Sequence, residues 1–166
     1  MSVIGEYFRV SPAELERAVR EPDRMREWIQ EMQDSELDAG ASPAGARHFS
    51  TYKTWDLLRF LLRRASFPVD VVHGEEPLGA AGDWGYGPPL HLTADRVGLA
   101  AGALGRLTYD QLLKGVDAAE LLAADVYPLG WEDEASLEWG RDYYCGLTEY
   151  LTAAAAEGQA VIVRLD

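Results

Sequence analysis

The two ends of this chain constrain its fold most. Residues 3–10 alternate in character and carry β-branched and aromatic side chains (Val3, Ile4, Tyr7, Phe8, Val10). Residues 160–165 are rich in the same types (Val161, Ile162, Val163). Both read as strands, and the stretch between them is mainly helical. The terminal strands are therefore expected to pair in one small sheet with several helices around it. That is an α+β fold, here a single domain over residues 1–166.

The helices announce themselves by their starts. Ser11, Pro12 and Glu14 form a capping box for a helix over 12–20, and Pro22 opens a second one with Met25, Trp28, Ile29 and Met32 on one face. Residues 34–50 are polar and read as a surface loop. From 51 to 64 the pattern is apolar almost all round (Trp55, Leu57, Leu58, Phe60, Leu61, Leu62), as in a helix buried on most sides. Its polar residues Asp56, Arg59 and Arg63 share a narrow stripe. Residues 69–72 suggest a short strand, and residues 74–89 a long Gly/Pro-rich loop that carries Trp84 and Tyr86. Thr93 caps a helix to about Leu104, and Thr108/Gln111 and Asp117/Glu120 make two more capping boxes. After a connection over 125–132, a helix runs from about Asp133 to Glu157. Its stripe is Leu137, Gly140, Tyr144, Leu147, Leu151 and Ala154, and Gly158 ends it.

Charge sets the second constraint. The chain carries 28 acidic and 15 basic side chains, a net of −13. Residues 1–64 account for −1, residues 65–114 for −3 and residues 115–166 for −9. Phosphate neutralisation needs clustered Lys and Arg, so nucleic acid and anionic membranes are not expected partners. A basic protein or a small ligand fits better. With one cysteine, Cys145, neither an internal disulfide nor a Cys-rich zinc site can form. Cys145 lies next to the core stripe of the last helix and is expected to be a buried, inert thiol. No signal pattern or long apolar run is present, so the expected location is the cytoplasm. Isolated His48, His73 and His91 offer no metal-ligand spacing, and no metal or cofactor is expected.

Four groups of residues are candidates for function. Asp56, beside Trp55 on the apolar helix, is either an ion-pair partner of Arg59 or Arg63 or the floor of a pocket. In the Gly/Pro-rich loop, Asp83, Trp84 and Tyr86, with His91 after it, either plug the core or line a cleft. Asp125 and Tyr127, with Trp131, pack the connection or form a second wall of that cleft. Lastly, Glu132, Asp133, Glu134, Glu138, Asp142 and Glu149 make an acidic flank on the last helix. The start of a helix favours acids, which accounts for Asp133 and Glu134 but not for Asp142 or Glu149. The flank is a solvated face or a docking surface for a basic partner.

Several stretches together resemble the YfbM-like family, a bacterial domain family of unknown function. They are residues 3–10, the helix Lys53–Leu62, Gly85–Pro89 leading into Leu92 and Thr93, the segment from Asp125 through Tyr127 and Pro128 to Trp131, and the closing strand. The resemblance covers essentially the whole chain. It implies an α+β fold with helices around a small sheet, and it implies no activity. Arg59 departs from the histidine that some members carry there, so a shared catalytic histidine is not expected at that position.

The favoured expectation is a non-enzymatic binding or interaction domain with an acidic C-terminal face and a Trp/Tyr-lined cleft. The alternative is a small hydrolase or transferase with Asp56, Asp83, Tyr86, His91 and Tyr127 as acid–base groups. A purely structural or oligomer-forming domain is the third. Convergence of Trp55, Asp56, Tyr86, His91 and Tyr127 in space is the discriminating observation.

Overall fold

The computed structural model describes every residue except Met1, Asp38, Leu129 and Glu132, so Glu132 of the acidic flank lies outside the described residues. In chain order the elements are β1 (Gly5–Val10), α1 (Pro12–Arg20), α2 (Pro22–Glu36), β2 (His48–Tyr52), α3 (Trp55–Arg64), β3 (Glu76–Pro77), β4 (Leu90–Leu92), α4 (Ala94–Leu104), α5 (Tyr109–Leu113), α6 (Ala118–Ala123), α7 (Glu134–Ala156) and β5 (Ala160–Leu165). The sheet order is β2-β1-β5-β4-β3, with every neighbouring pair antiparallel. The expected pairing of the terminal strands is its centre: Gly5 stands opposite Leu165 and Val10 opposite Ala160.

Successive side chains on a strand point to opposite faces, and both faces of this sheet are covered. Tyr7, Val161 and Val163 enter one core with Leu57, Leu58 and Leu61 of α3, Val97 and Ala100 of α4, and Tyr144, Leu147 and Leu151 of α7. Phe8, Val10, Ala160 and Ile162 enter a second core with Ala18 of α1 and Met25, Ile29 and Met32 of α2. The near-uniform apolarity of α3 thus reflects burial in the larger core. All three capping boxes form, at Ser11, Thr108 and Asp117. At Gly140 of α7 a Cβ would stand 2.3 Å from the Tyr109 hydroxyl, which itself donates to the Leu137 carbonyl at 2.6 Å.

Three expectations are corrected. Residues 34–50 are not loop throughout, because His48–Tyr52 forms edge strand β2 on β1, and α3 begins only at Trp55. The half-buried sequence of β2 has no clear alternation, and its pairing with β1 makes it a strand. Residues 69–72 form a turn. Its reversal is held by the Asp70 carboxylate, which accepts from the amides of Val72 (3.2 Å) and His73 (3.0 Å), while its valines still reach the core. The sheet is completed by the short strands β3 and β4, the first lying inside the segment read as loop.

Candidate functional site

The residues expected to line one cleft lie in two places, at the same end of the sheet but on opposite faces. On the α3 side, the Trp55 ring stacks on Tyr127 with centroids 5.6 Å apart. Its Nε1 donates to the Val3 carbonyl at 3.0 Å, and the Val3 amide donates to the Tyr127 hydroxyl at 2.9 Å. Asp56 is buried; its carboxylate pairs with Arg59 and accepts from the Tyr127 amide at 2.8 Å. Every strong polar group in this cluster is thus used internally. Trp55, Asp56 and Tyr127 form a bracket that ties the start of β1 and the segment before α7 to α3. Asp125, an exposed residue at a positive φ of 49°, adds no wall.

On the α1/α2 side, Trp84 is fully buried in the second core. Asp83 accepts from the amides of Gly85 (2.8 Å) and Gly87 (3.0 Å), which holds the loop around Trp84 in shape. Gly85, at a positive φ of 152°, lets this loop press onto the end of β5, since a Cβ there would lie 2.4 Å from the Leu165 carbonyl. Tyr86 is exposed, and its amide donates to that carbonyl at 2.8 Å. His91 is buried beside Glu76, with Nε2 3.3 Å from the carboxylate and Nδ1 unpartnered among the described residues. Burial lowers its pKa, and the Glu76 charge opposes that only in part. The five acid–base groups therefore do not meet, because Asp56 and Tyr127 face one core while His91 faces the other.

The acidic flank exists as a surface. Glu134, Glu138, Asp142 and Glu149 of α7 are all exposed. Asp133 is the N-cap of α7, accepting from the Ser136 amide at 2.7 Å. Arg141 pairs with Glu138 and with Asp110 of α5, each at 2.7 Å, and its hydrogen bonds hold the Glu138 carboxyl below its usual pKa. Asp142 and Glu149 have no ion-pair partner among the described residues. Cys145, expected to be buried, is exposed on this same flank: one step of about 100° from buried Tyr144 turns it outward. Beside the acids lies an aromatic group of which the sequence reading singled out only Trp131. Trp139 is stacked on Trp131 (5.8 Å) and meets the edges of Tyr52 (6.0 Å) and Tyr143 (6.0 Å). Trp139 and Tyr52 are 38% and 39% exposed, so their edge-to-face pair is partly open to solvent.

A second feature joins Trp84 to residues that the sequence reading did not single out. A cleft of about 490 Å³ is lined by Asp23, Arg26, Glu27 and Gln30 of α2, by Trp84, and by Arg164 and Asp166 at the end of β5. Arg164 is 5% exposed and lies over the Phe8 ring at 5.4 Å. Its Nη2 donates to Gln33 Oε1 at 2.9 Å, with longer contacts of 3.4 Å to Gln30 and 3.5 Å to Asp166. Arg164 Nε and Trp84 Nε1 are buried donors without an acceptor among the described residues. Each such group costs roughly 1–3 kcal/mol. Across the strands, Arg164 stands opposite Glu6, which pairs with His48. A signal for these residues was present in the phase of the strands: Glu6 is in step with Phe8 and Val10, and Arg164 with Ile162 and Ala160.

Among the described residues no helix is long and apolar enough to cross a membrane. No curated protein matches the chain. Among solved structures, the crystal structure of YfbM from Escherichia coli, a protein of unknown function, shares the fold with a TM-score of 0.56. The match has 16% identity and covers 98% of this chain and 99% of that one. The profile of a family described as a domain of unknown function (DUF1877) matches residues 1–164. The resemblance noted in the sequence is thereby borne out, and the chain belongs to this YfbM-like family of domains of unknown function.

Proposed function

We propose that this protein is a binding module whose α7 flank docks a basic segment of a partner protein. One observation carries the reading: two large aromatic side chains, Trp139 and Tyr52, lie exposed beside the carboxylates of Glu138 and Asp142. An Arg or Lys side chain gains from a tryptophan face and from nearby carboxylates at once. Residues 115–166 hold only two bases, Arg141 and Arg164. The first is already paired with Glu138 and Asp110 and the second is buried, while Lys53 lies over the Tyr52 ring at 5.4 Å, which leaves the Trp139 ring and the Asp142 and Glu149 carboxylates for an incoming cation. The aromatic part of the site is then Trp139 and Tyr52 rather than Trp84 and Tyr86.

The test is fluorescence anisotropy with a labelled Arg-rich peptide and a Gly/Ser peptide as control, over a range of salt. Binding of the Arg-rich peptide is expected at low salt and is screened as salt rises. Replacing Glu138→Gln, Asp142→Asn and Glu149→Gln together weakens it about tenfold, from a few tenths of a kcal/mol per charge. Trp139→Ala weakens it separately, with the fold intact. Unchanged affinity in both variants would falsify the proposal.

A further inference from the structure

We propose that the cleft between α2 and the end of β5 binds a small zwitterion of amino-acid size, its carboxylate at Arg164 and its ammonium group at Asp23 and Glu27. This site lies across the sheet from the α3 bracket and does not depend on the docking role of α7. The argument begins with what the walls lack. Arg and Trp side chains only donate hydrogen bonds, and of the three buried side-chain nitrogens without a partner among the described residues, Arg164 Nε, Trp84 Nε1 and His91 Nδ1, the first two belong to residues that line this cleft. What would complete them is an acceptor, and a guanidinium takes a carboxylate in a fork of two parallel bonds.

The Arg164 side chain is poised for that exchange. It is 4% exposed and packed on Phe8, so its position is set by the core. Its one good hydrogen bond runs to Gln33, and the contacts it would surrender, to Gln30 at 3.4 Å and Asp166 at 3.5 Å, are long. An entering carboxylate therefore displaces weak contacts.

The remaining walls decide against a simple anion. The lining carries Asp23, Glu27 and Asp166 against Arg26 and Arg164, so a ligand that was only negative would meet three carboxylates. A ligand that was only positive would leave the Arg164 and Trp84 donors empty. Asp23 and Glu27 stand one turn apart on α2, both exposed, and Asp166 already faces Arg164. A molecule with both charges satisfies both ends, and about 490 Å³ is ample for an amino acid.

The experiment is a proton–nitrogen NMR titration of the protein with single L-amino acids at millimolar concentration, following the Trp84 indole and Arg164 Nε signals. Trp84→Phe assigns the first. Saturable movement of both signals by at least one amino acid is expected, with acetate and methylamine producing little at matched ionic strength. Arg164→Gln abolishes the response. Asp23→Asn with Glu27→Gln, two changes at exposed positions that leave the fold in place, weakens it about tenfold. The proposal is overturned if no amino acid moves either signal, if acetate alone binds as well, or if the Asp23/Glu27 double variant binds like the parent.

Discussion

Two arginines on the central strands are almost equally buried, Arg9 at 4% and Arg164 at 5%, and they have opposite surroundings. Arg9 Nε donates to Gln159 Oε1 at 2.7 Å. Its Nη1 donates to the carbonyls of Ala44 (2.9 Å) and Ala46 (3.2 Å), and Nη2 reaches Glu157 at 3.5 Å. The Tyr150 ring lies 5.8 Å away, and that tyrosine's hydroxyl donates to the Arg47 carbonyl. This region staples the loop before β2, and the turn after α7, to β1. Arg164 has one good hydrogen bond, two long contacts and an unpartnered Nε beside a cleft. Burial alone therefore does not distinguish a structural charge from a binding one. Completeness of partners does.

Substitutions separate the two arginines. Arg9→Met is expected to cost about 3 kcal/mol in urea unfolding, because it leaves the Gln159 amide oxygen and two carbonyls short of donors. A loss below about 1 kcal/mol would remove Arg9 from the structural class. Asp56 belongs with Arg9, since its carboxylate holds both Arg59 and the Tyr127 amide. Asp56→Asn is expected to lose about 2 kcal/mol while leaving Arg-rich peptide binding at α7 unchanged. Arg164→Met keeps the packing on Phe8 and removes one good hydrogen bond and an unsatisfied donor, so the expected loss is about 1 kcal/mol or less. If Arg164→Met is as costly as Arg9→Met, the distinction between the two arginines collapses.

The smallest effect is one of pH. His91 sits on the same sheet face as Arg164 and is likewise incompletely partnered. Burial depresses its folded-state pKa below the ordinary 6.5, so the folded protein favours the neutral ring. The unfolded chain takes up its proton first as pH falls. This contribution to stability is therefore present above pH 6.5 and is lost as pH falls through the folded-state pKa. Urea midpoints measured between pH 7.5 and 5 should show a shallower decline in His91→Leu, and a steeper one in Glu76→Gln, which removes the charge that supports protonation. Identical slopes in the parent and His91→Leu would assign the pH dependence to other groups.

The legible parts of this protein are those set by neighbours in sequence. Ser11, Thr108 and Asp117 could be read as caps because a capping box closes within four residues. The stripe of α7 could be read because its spacing is regular, although the same helix turned Cys145 outward against expectation. β2 and β4 were not legible, because their pairing with β1 and β5 makes them strands, more than any preference of their own. At the candidate sites the acidic positions of α7 were found, but not their aromatic companion. Tyr52 and Trp139 are far apart in the chain, and only the packing of β2 against α7 brings them together.

The pairing of the terminal strands, most helix starts, the apolar faces and the acidic excess after residue 114 are all written in the order of the residues. Which polar groups are finished and which are not depends on the packed chain. Trp55, Asp56 and Tyr127 were candidates for a cleft and became a closed bracket, whereas Arg164 and Trp84 became its open counterpart on the other face. Amphipathic phase and capping are local, whereas satisfaction of a buried hydrogen-bonding group is settled by partners that only the folded chain brings within reach.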